Sequence, residues 1–117
     1  MQIQFTSDRG IAAGRLAGRL DVSSYKDLDL ALTSRIEGGG VRIALDLAAI
    51  DFISSAGLRV ILGAAKRCDA AGGELRLAAA SSLIKEVLDI SGLSQVVAVD
   101  DTLDAACQHL IGAAGGR

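Results

Sequence analysis

The chain has 117 residues, the size of one domain, and its 12 basic and 14 acidic side chains are interspersed for a formal charge of −2. No basic stripe results, so neither nucleic acid nor an anionic membrane surface is favoured as a partner. Half of the residues are apolar but only 3% are aromatic, so the core must be assembled from Leu, Ile, Val and Ala, and no apolar run approaches the ~18 residues of a membrane span.

QIQFT at 2–6 and IAAGRLAGRL at 11–20 flank an Asp8-Arg9-Gly10 turn and predict a hairpin. Ser23 or Ser24 then caps a helix, with Asp27 in its first turn and Tyr25, Leu28, Leu32 and Ile36 at helical spacing up to Glu37-Gly38. VRIALDL, residues 41–47, reads as a strand covered on both faces. The stretch IDFISSAGLRVILGAAKRCDAAGG, residues 50–73, begins as a buried strand and turns into an amphipathic helix from Ala56 to Ala71. Leu58, Ile61, Leu62, Ala65 and Cys68 form its core stripe, with Val60, Gly63 and Ala64 off it, and Gly72-Gly73 ends it.

ELRLAA, 74–79, alternates like a strand, and SSLIKEVLDISG, 81–92, is a capped helix with Leu83, Val87 and Leu88 on one side. QVVAV, 95–99, predicts another strand, and Asp101 with Asp104 opens a last helix carrying Leu103, Ala106, Cys107 and Leu110. The order ββαβαβαβα predicts an α/β domain over residues 1–112, with helices packed on a largely parallel sheet, and a flexible tail at 113–117. Met1 is followed by QIQFTSD rather than by a charged and then greasy leader, and Cys68 and Cys107 read as buried thiols, so a cytoplasmic protein is expected.

Little here suggests catalysis. His109 is the one histidine, near the end of the last helix, with no signature tying it to a nucleophile. One His and two separated Cys lack zinc spacing, and Gly38-Gly39-Gly40 precedes a strand instead of opening a helix, so neither a metal nor a cofactor is expected. Asp21, Asp46 and Asp51 fall near strand ends, where carboxylates can bind cations, but each also reads as an ordinary loop or sheet-end residue.

Ser54, Ser55, Ala56 and Gly57 occupy the change-over from strand to helix. A serine there caps a helix, and small residues let the chain turn sharply off the sheet. The same geometry exposes a hydroxyl beside the positive end of a helix dipole, where an added phosphate is well accommodated but repels a docked partner.

Three segments carry a resemblance: GRLDVSSY at 18–25, LDLAAIDFISSAGLRVILGAAKRCDAAGGELRLAA at 45–79, and LIKEVLDISGLSQVVAVDDTLDAA at 83–106. The chain resembles the bacterial anti-sigma factor antagonists, the small stand-alone members of the STAS domain superfamily. That resemblance implies a mixed β-sheet with packed helices and a partner-switching role. The unphosphorylated protein would bind an anti-sigma factor that is a serine kinase with a GHKL-type ATP-binding domain, releasing a sigma factor; phosphorylation would break the complex and a PP2C-type phosphatase would restore it. The acceptor lies two residues before the Gly of the turn, which is Ser55 here. Several members carry Asp before the acceptor where this chain has Ser54, a competing hydroxyl.

Asp21 matches an acidic position near the acceptor, whereas the position of Asp46 carries no assigned role. The implied partner surface comprises Asp21, Ser54, Ser55, Ala56, Gly57, Arg59, Val60 and Gly63. Gly63 fits close approach by another backbone, or packing within the domain; Arg59 fits a phosphate partner, or a solvated arginine. The resemblance also leaves room for a STAS subunit that binds the ATPase of an ABC lipid transporter, and for a small-molecule or nucleotide sensor.

Overall fold

The structure, a computed structural model, describes residues 1–115. Its first two strands, β1 (Gln2–Asp8) and β2 (Ile11–Leu20), form the expected hairpin. Arg9 and Gly10 between them both have left-handed φ values, 53° and 78°, as a two-residue hairpin turn of matching twist requires.

There follow α1 (Tyr25–Glu37), β3 (Arg42–Ile53), α2 (Ser55–Ala70), β4 (Glu74–Ala78), α3 (Ser82–Ile90), a 3₁₀ turn (Leu93–Gln95), β5 (Val99–Asp100) and α4 (Leu103–Gly115). This is the order ββαβαβαβα. The sheet runs β1-β2-β3-β4-β5, with β1 antiparallel and every other pair parallel. The mixed α/β sheet expected from the sequence is therefore present.

Alternation along the strands divides the core in two. Ile43, Leu45 and Leu47 of β3, with Leu16, Leu75 and Leu77, join the α1, α2 and α3 side chains Leu28, Leu32, Ile61, Cys68, Ile84 and Leu88 in one cluster. Ala44, with Ile11 and Ala78, meets Ala106 and Leu110 of α4 in the other. The two alanines at the sheet, Ala44 and Ala78, let α4 lie close to it.

Several local expectations are corrected. QVVAV is a strand only at its end, because Leu93 and Val97 turn into the core around Gly92, whose φ of 83° lets a 3₁₀ turn follow α3 directly. Leu83 is exposed and Ile84 is buried in its place, since the α3 stripe runs through Ile84 and Leu88. Ala64 is fully buried rather than off the core stripe: α2 is covered by α1 as well as by the sheet, and Arg67 of α2 bonds Thr33 of α1 at 3.0 Å. The α4 cap is Thr102, whose hydroxyl accepts from Ala105 N–H at 3.0 Å, while Asp101 is exposed beside Lys85.

Ser24 precedes α1 but makes no side-chain cap. Its buried hydroxyl turns back, donating to Arg19 C=O at 2.6 Å and accepting from Asp21 N–H at 3.0 Å. Cys68 and Cys107 are free thiols, and burial pushes both above the ordinary thiol range. Of the expected tail, residues 113–115 continue α4 and residues 116 and 117 lie outside the described residues. Among the described residues no helix is long and apolar enough to cross a membrane.

Candidate functional site

β3 ends at buried Ile53, and Ser54 N–H donates to Leu20 C=O at 2.8 Å, tying the ends of β2 and β3 together. Ser54 is extended, with ψ 169°, and its Oγ accepts from Gly57 N–H at 3.2 Å. Ser54 is thus the α2 N-cap, and its hydroxyl is occupied in holding the first turn. Ser55 is the first residue of the helix and is exposed to solvent. Its own N–H and that of Ala56 have no intrahelical acceptor, so the α2 start presents a positive dipole end at the rim of the sheet.

Gly57 is buried, and its role is internal. A Cβ there would stand 2.6 Å from Leu20 Cγ and 3.2 Å from Leu20 C=O, so only glycine lets α2 begin this close to β2. Ala56 and Val60 are half-buried, Arg59 is exposed, and Gly63 is half-buried with nothing within 4 Å of a built Cβ. Packing inside the domain therefore gives no reason for a glycine at 63.

Asp21 follows β2 directly and shares this rim through the Leu20–Ser54 bond. Its Oδ1 accepts from Ser23 Oγ at 2.7 Å and Ser23 N–H at 3.0 Å, and Arg19 Nε lies 3.5 Å from Oδ2. The Ser23 hydroxyl bond, then the Ser23 amide bond, hold the carboxyl below its ordinary range, so Asp21 is ionised at neutral pH. A fixed negative charge and an exposed hydroxyl thus occupy one edge.

Sequence reasoning missed the apolar part of this edge. Val22 is 78% exposed and Phe52 39% exposed, with the Arg19 guanidinium 4.3 Å above the Phe52 ring. An outward Phe at the end of a strand is the one signal that pointed there. Asp51 is exposed beside it, but Asp46 lies back along β3, pairing with Arg15 at 3.8 Å and accepting from Ala48 N–H at 2.9 Å. Asp21, Asp46 and Asp51 form no cation site, and among the described residues no group of His, Cys, Asp and Glu is arranged to hold a metal.

His109 belongs to a different place, also missed. Buried Asp100 receives Arg76 Nε at 2.7 Å and the second guanidinium nitrogen at 3.1 Å, with His109 Nδ1 2.9 Å away and Glu74 2.9 Å from Arg76. The Arg76 bonds hold the Asp100 carboxyl below its ordinary range and raise the guanidinium in return. This network fastens β4, β5 and α4 together.

The STAS domain family model matches residues 2–106. The chain belongs to the STAS domain family. A candidate anti-sigma factor antagonist of Bordetella bronchiseptica, BtrV, is 34% identical over 106 residues, covering 89% of this chain and 91% of that protein. The anti-sigma F factor antagonist of Paenibacillus polymyxa is 30% identical over 102 residues, covering 86% and 87%. The resemblance to anti-sigma factor antagonists seen in the sequence is borne out. By fold, SpoIIAA in its unphosphorylated form superposes with a TM-score of 0.75 at 21% identity, covering 95% of this STAS chain and 99% of that one. SpoIIAA of Bacillus in its phosphorylated form gives 0.73 at 24%, covering 92% and 98%.

Proposed function

We propose that this STAS protein is an anti-sigma factor antagonist that works as a phosphorylation-switched docking surface and has no catalytic activity of its own. With Ser55 unmodified, the α2 start and the rim formed by Asp21, Val22, Phe52 and Arg59 bind an anti-sigma factor serine kinase of the GHKL type, and a sigma factor is released. Phosphorylation of Ser55 ends the association; a PP2C-type phosphatase restores it. The cytoplasm is the setting for this exchange.

One observation carries the reading. Ser54 and Ser55 are adjacent, but the Ser54 hydroxyl is engaged as a cap and Ser55 alone is exposed at the head of the helix. A phosphoryl group on Ser55 brings about −1.5 to −2 charges into a surface that already holds ionised Asp21. Desolvating that charge in a complex costs several kcal/mol, and a hundredfold loss of affinity needs only about 2.8 kcal/mol. The fold itself is little disturbed, because the helix N-terminus tolerates an anion.

The test is incubation with the cognate kinase and ATP, followed by mass spectrometry and a binding measurement. Label is expected on Ser55, absent in Ser55→Ala, with binding kept by Ser55→Ala and weakened by Ser55→Asp. Undiminished binding by a fully Ser55-phosphorylated sample refutes the reading. Capture of a transporter ATPase, or binding of a nucleotide by the isolated domain, would instead support the other two roles open to this fold.

A further inference from the structure

The sheet has one long free edge. β1 stands at the end of the strand order and, among the described residues, pairs only with β2, whereas the opposite edge is the two-residue β5. An edge strand carries a row of unpaired N–H and C=O groups, and natural edges are blunted by Pro, Lys, bulges or shortness. β1 uses none of these: it is seven residues, QIQFTSD, without Pro, without charge before Asp8, and in unbroken register with β2 from Gln2↔Ala17 to Asp8↔Ile11. The irregular register of this sheet lies between β2 and β3, away from the edge.

We propose that β1 is a self-pairing edge, through which two copies of this chain join antiparallel about a two-fold axis at Gln4 into one continuous sheet. In that register each Gln4 faces its symmetry mate, Gln2 faces Thr6, and Ile3 faces Phe5. Residues of equal parity oppose each other, so exposed Gln2, Gln4 and Thr6 remain on one face and half-buried Ile3 and Phe5 on the other. Asp8 falls beyond the paired stretch, and no like charges meet. The strand is its own complement in polarity, which makes a second copy the occupant; the charges beside it, Arg15 opposite Gln4 and Arg35 4.2 Å above the Phe5 ring, belong to β2 and α1.

The topology fixes a consequence. β1 is antiparallel to β2, and β2 is parallel to β3, so pairing β1 with its mate sets the β3 strands of the two copies in opposite directions. The two Ser55 rims then lie at opposite ends of the joined sheet, and docking at either does not compete with dimerisation. The pairing stands independently of the role given to Ser55.

Sedimentation equilibrium of the full chain over a wide concentration range reads the outcome directly: the mass rises from the 11.9 kDa of the protomer towards twice that value. Gln4→Glu sets like charges against each other across the axis, while Arg15, directly opposite on β2, keeps the monomer fold tolerant of the change. Gln4→Lys sets like positive charges across the axis; because Arg15 also stands opposite it on β2, circular dichroism first checks that this variant is folded. Each variant alone weakens the dimer about tenfold or more, about 1.4 kcal/mol, and an equimolar mixture of the two restores it. Ser55→Asp leaves the mass unchanged. A monomer at every concentration, a dimer that neither Gln4 variant weakens, or a dimer lost on Ser55→Asp overturns the proposal.

Discussion

Gly57→Ala is the sharpest probe of how the site is held. The added methyl would lie 2.6 Å from Leu20 Cγ and 2.9 Å from Leu20 Cδ2, with Leu20 C=O at 3.2 Å. Leu20 is fully buried, so it has no free space to swing into. Its carbonyl also accepts from Ser54 N–H at 2.8 Å, so the backbone cannot retreat without loosening the rim. Overpacking of this kind costs about 1–3 kcal/mol, and the better helix propensity of Ala returns at most about 1 kcal/mol. With two contacts under 3 Å the cost lies in the upper half of that range, about 2–3 kcal/mol, so the net loss is about 1–2 kcal/mol, or a fall in Tm of roughly 4–8 °C for a domain of this size. Urea unfolding monitored by circular dichroism measures it, and Leu20→Ala combined with Gly57→Ala should cost less than the sum of the two single changes. A Gly57→Ala variant as stable as the parent would refute the account of why α2 starts where it does.

Ser54→Ala removes the α2 cap and should cost about 1 kcal/mol in the same urea experiment, whereas Ser55→Ala should stay within about 0.5 kcal/mol. Gly63→Ala, with open space around the new methyl, should gain about 0.5–1 kcal/mol in stability while weakening partner binding, measured by calorimetry against the cognate kinase. Asp100→Asn breaks the paired hydrogen bonds to Arg76, whose side chain is 17% exposed, and should cost about 2 kcal/mol. The Asp100 carboxyl titrates below its unfolded value because Arg76 bonds the charged form, so its contribution is present above the unfolded pKa and is lost as pH falls through the folded one. Urea midpoints should therefore fall on acidification below about pH 4, and fall less steeply in Asp100→Asn; equal slopes would contradict the role given to the network.

The sequence by itself determined the element order, the hairpin and the helix that follows Ser54, because each is set by local patterning: two strand-like runs flanking the Asp8-Arg9-Gly10 turn, and a Ser followed by helical spacing. It also carried the family, since the motif around Ser55 is contiguous. Tertiary structure decided what depends on neighbours distant in the chain. Whether Ser24 or Ser54 caps its helix turned on which backbone groups stood within reach, and Ser24 found Arg19 C=O instead. Ala64 and Leu83 exchanged their expected surroundings because α2 is covered from two sides and α3 from one. Val97 left the expected strand for the core. Arg76, Asp100 and His109 are separated in sequence and carry no spacing rule; only the parallel pairing of β4 with β5, under α4, brings them to hydrogen-bonding distance. Local pattern records what one residue asks of its chain neighbours, and contacts made across the sheet leave no such record.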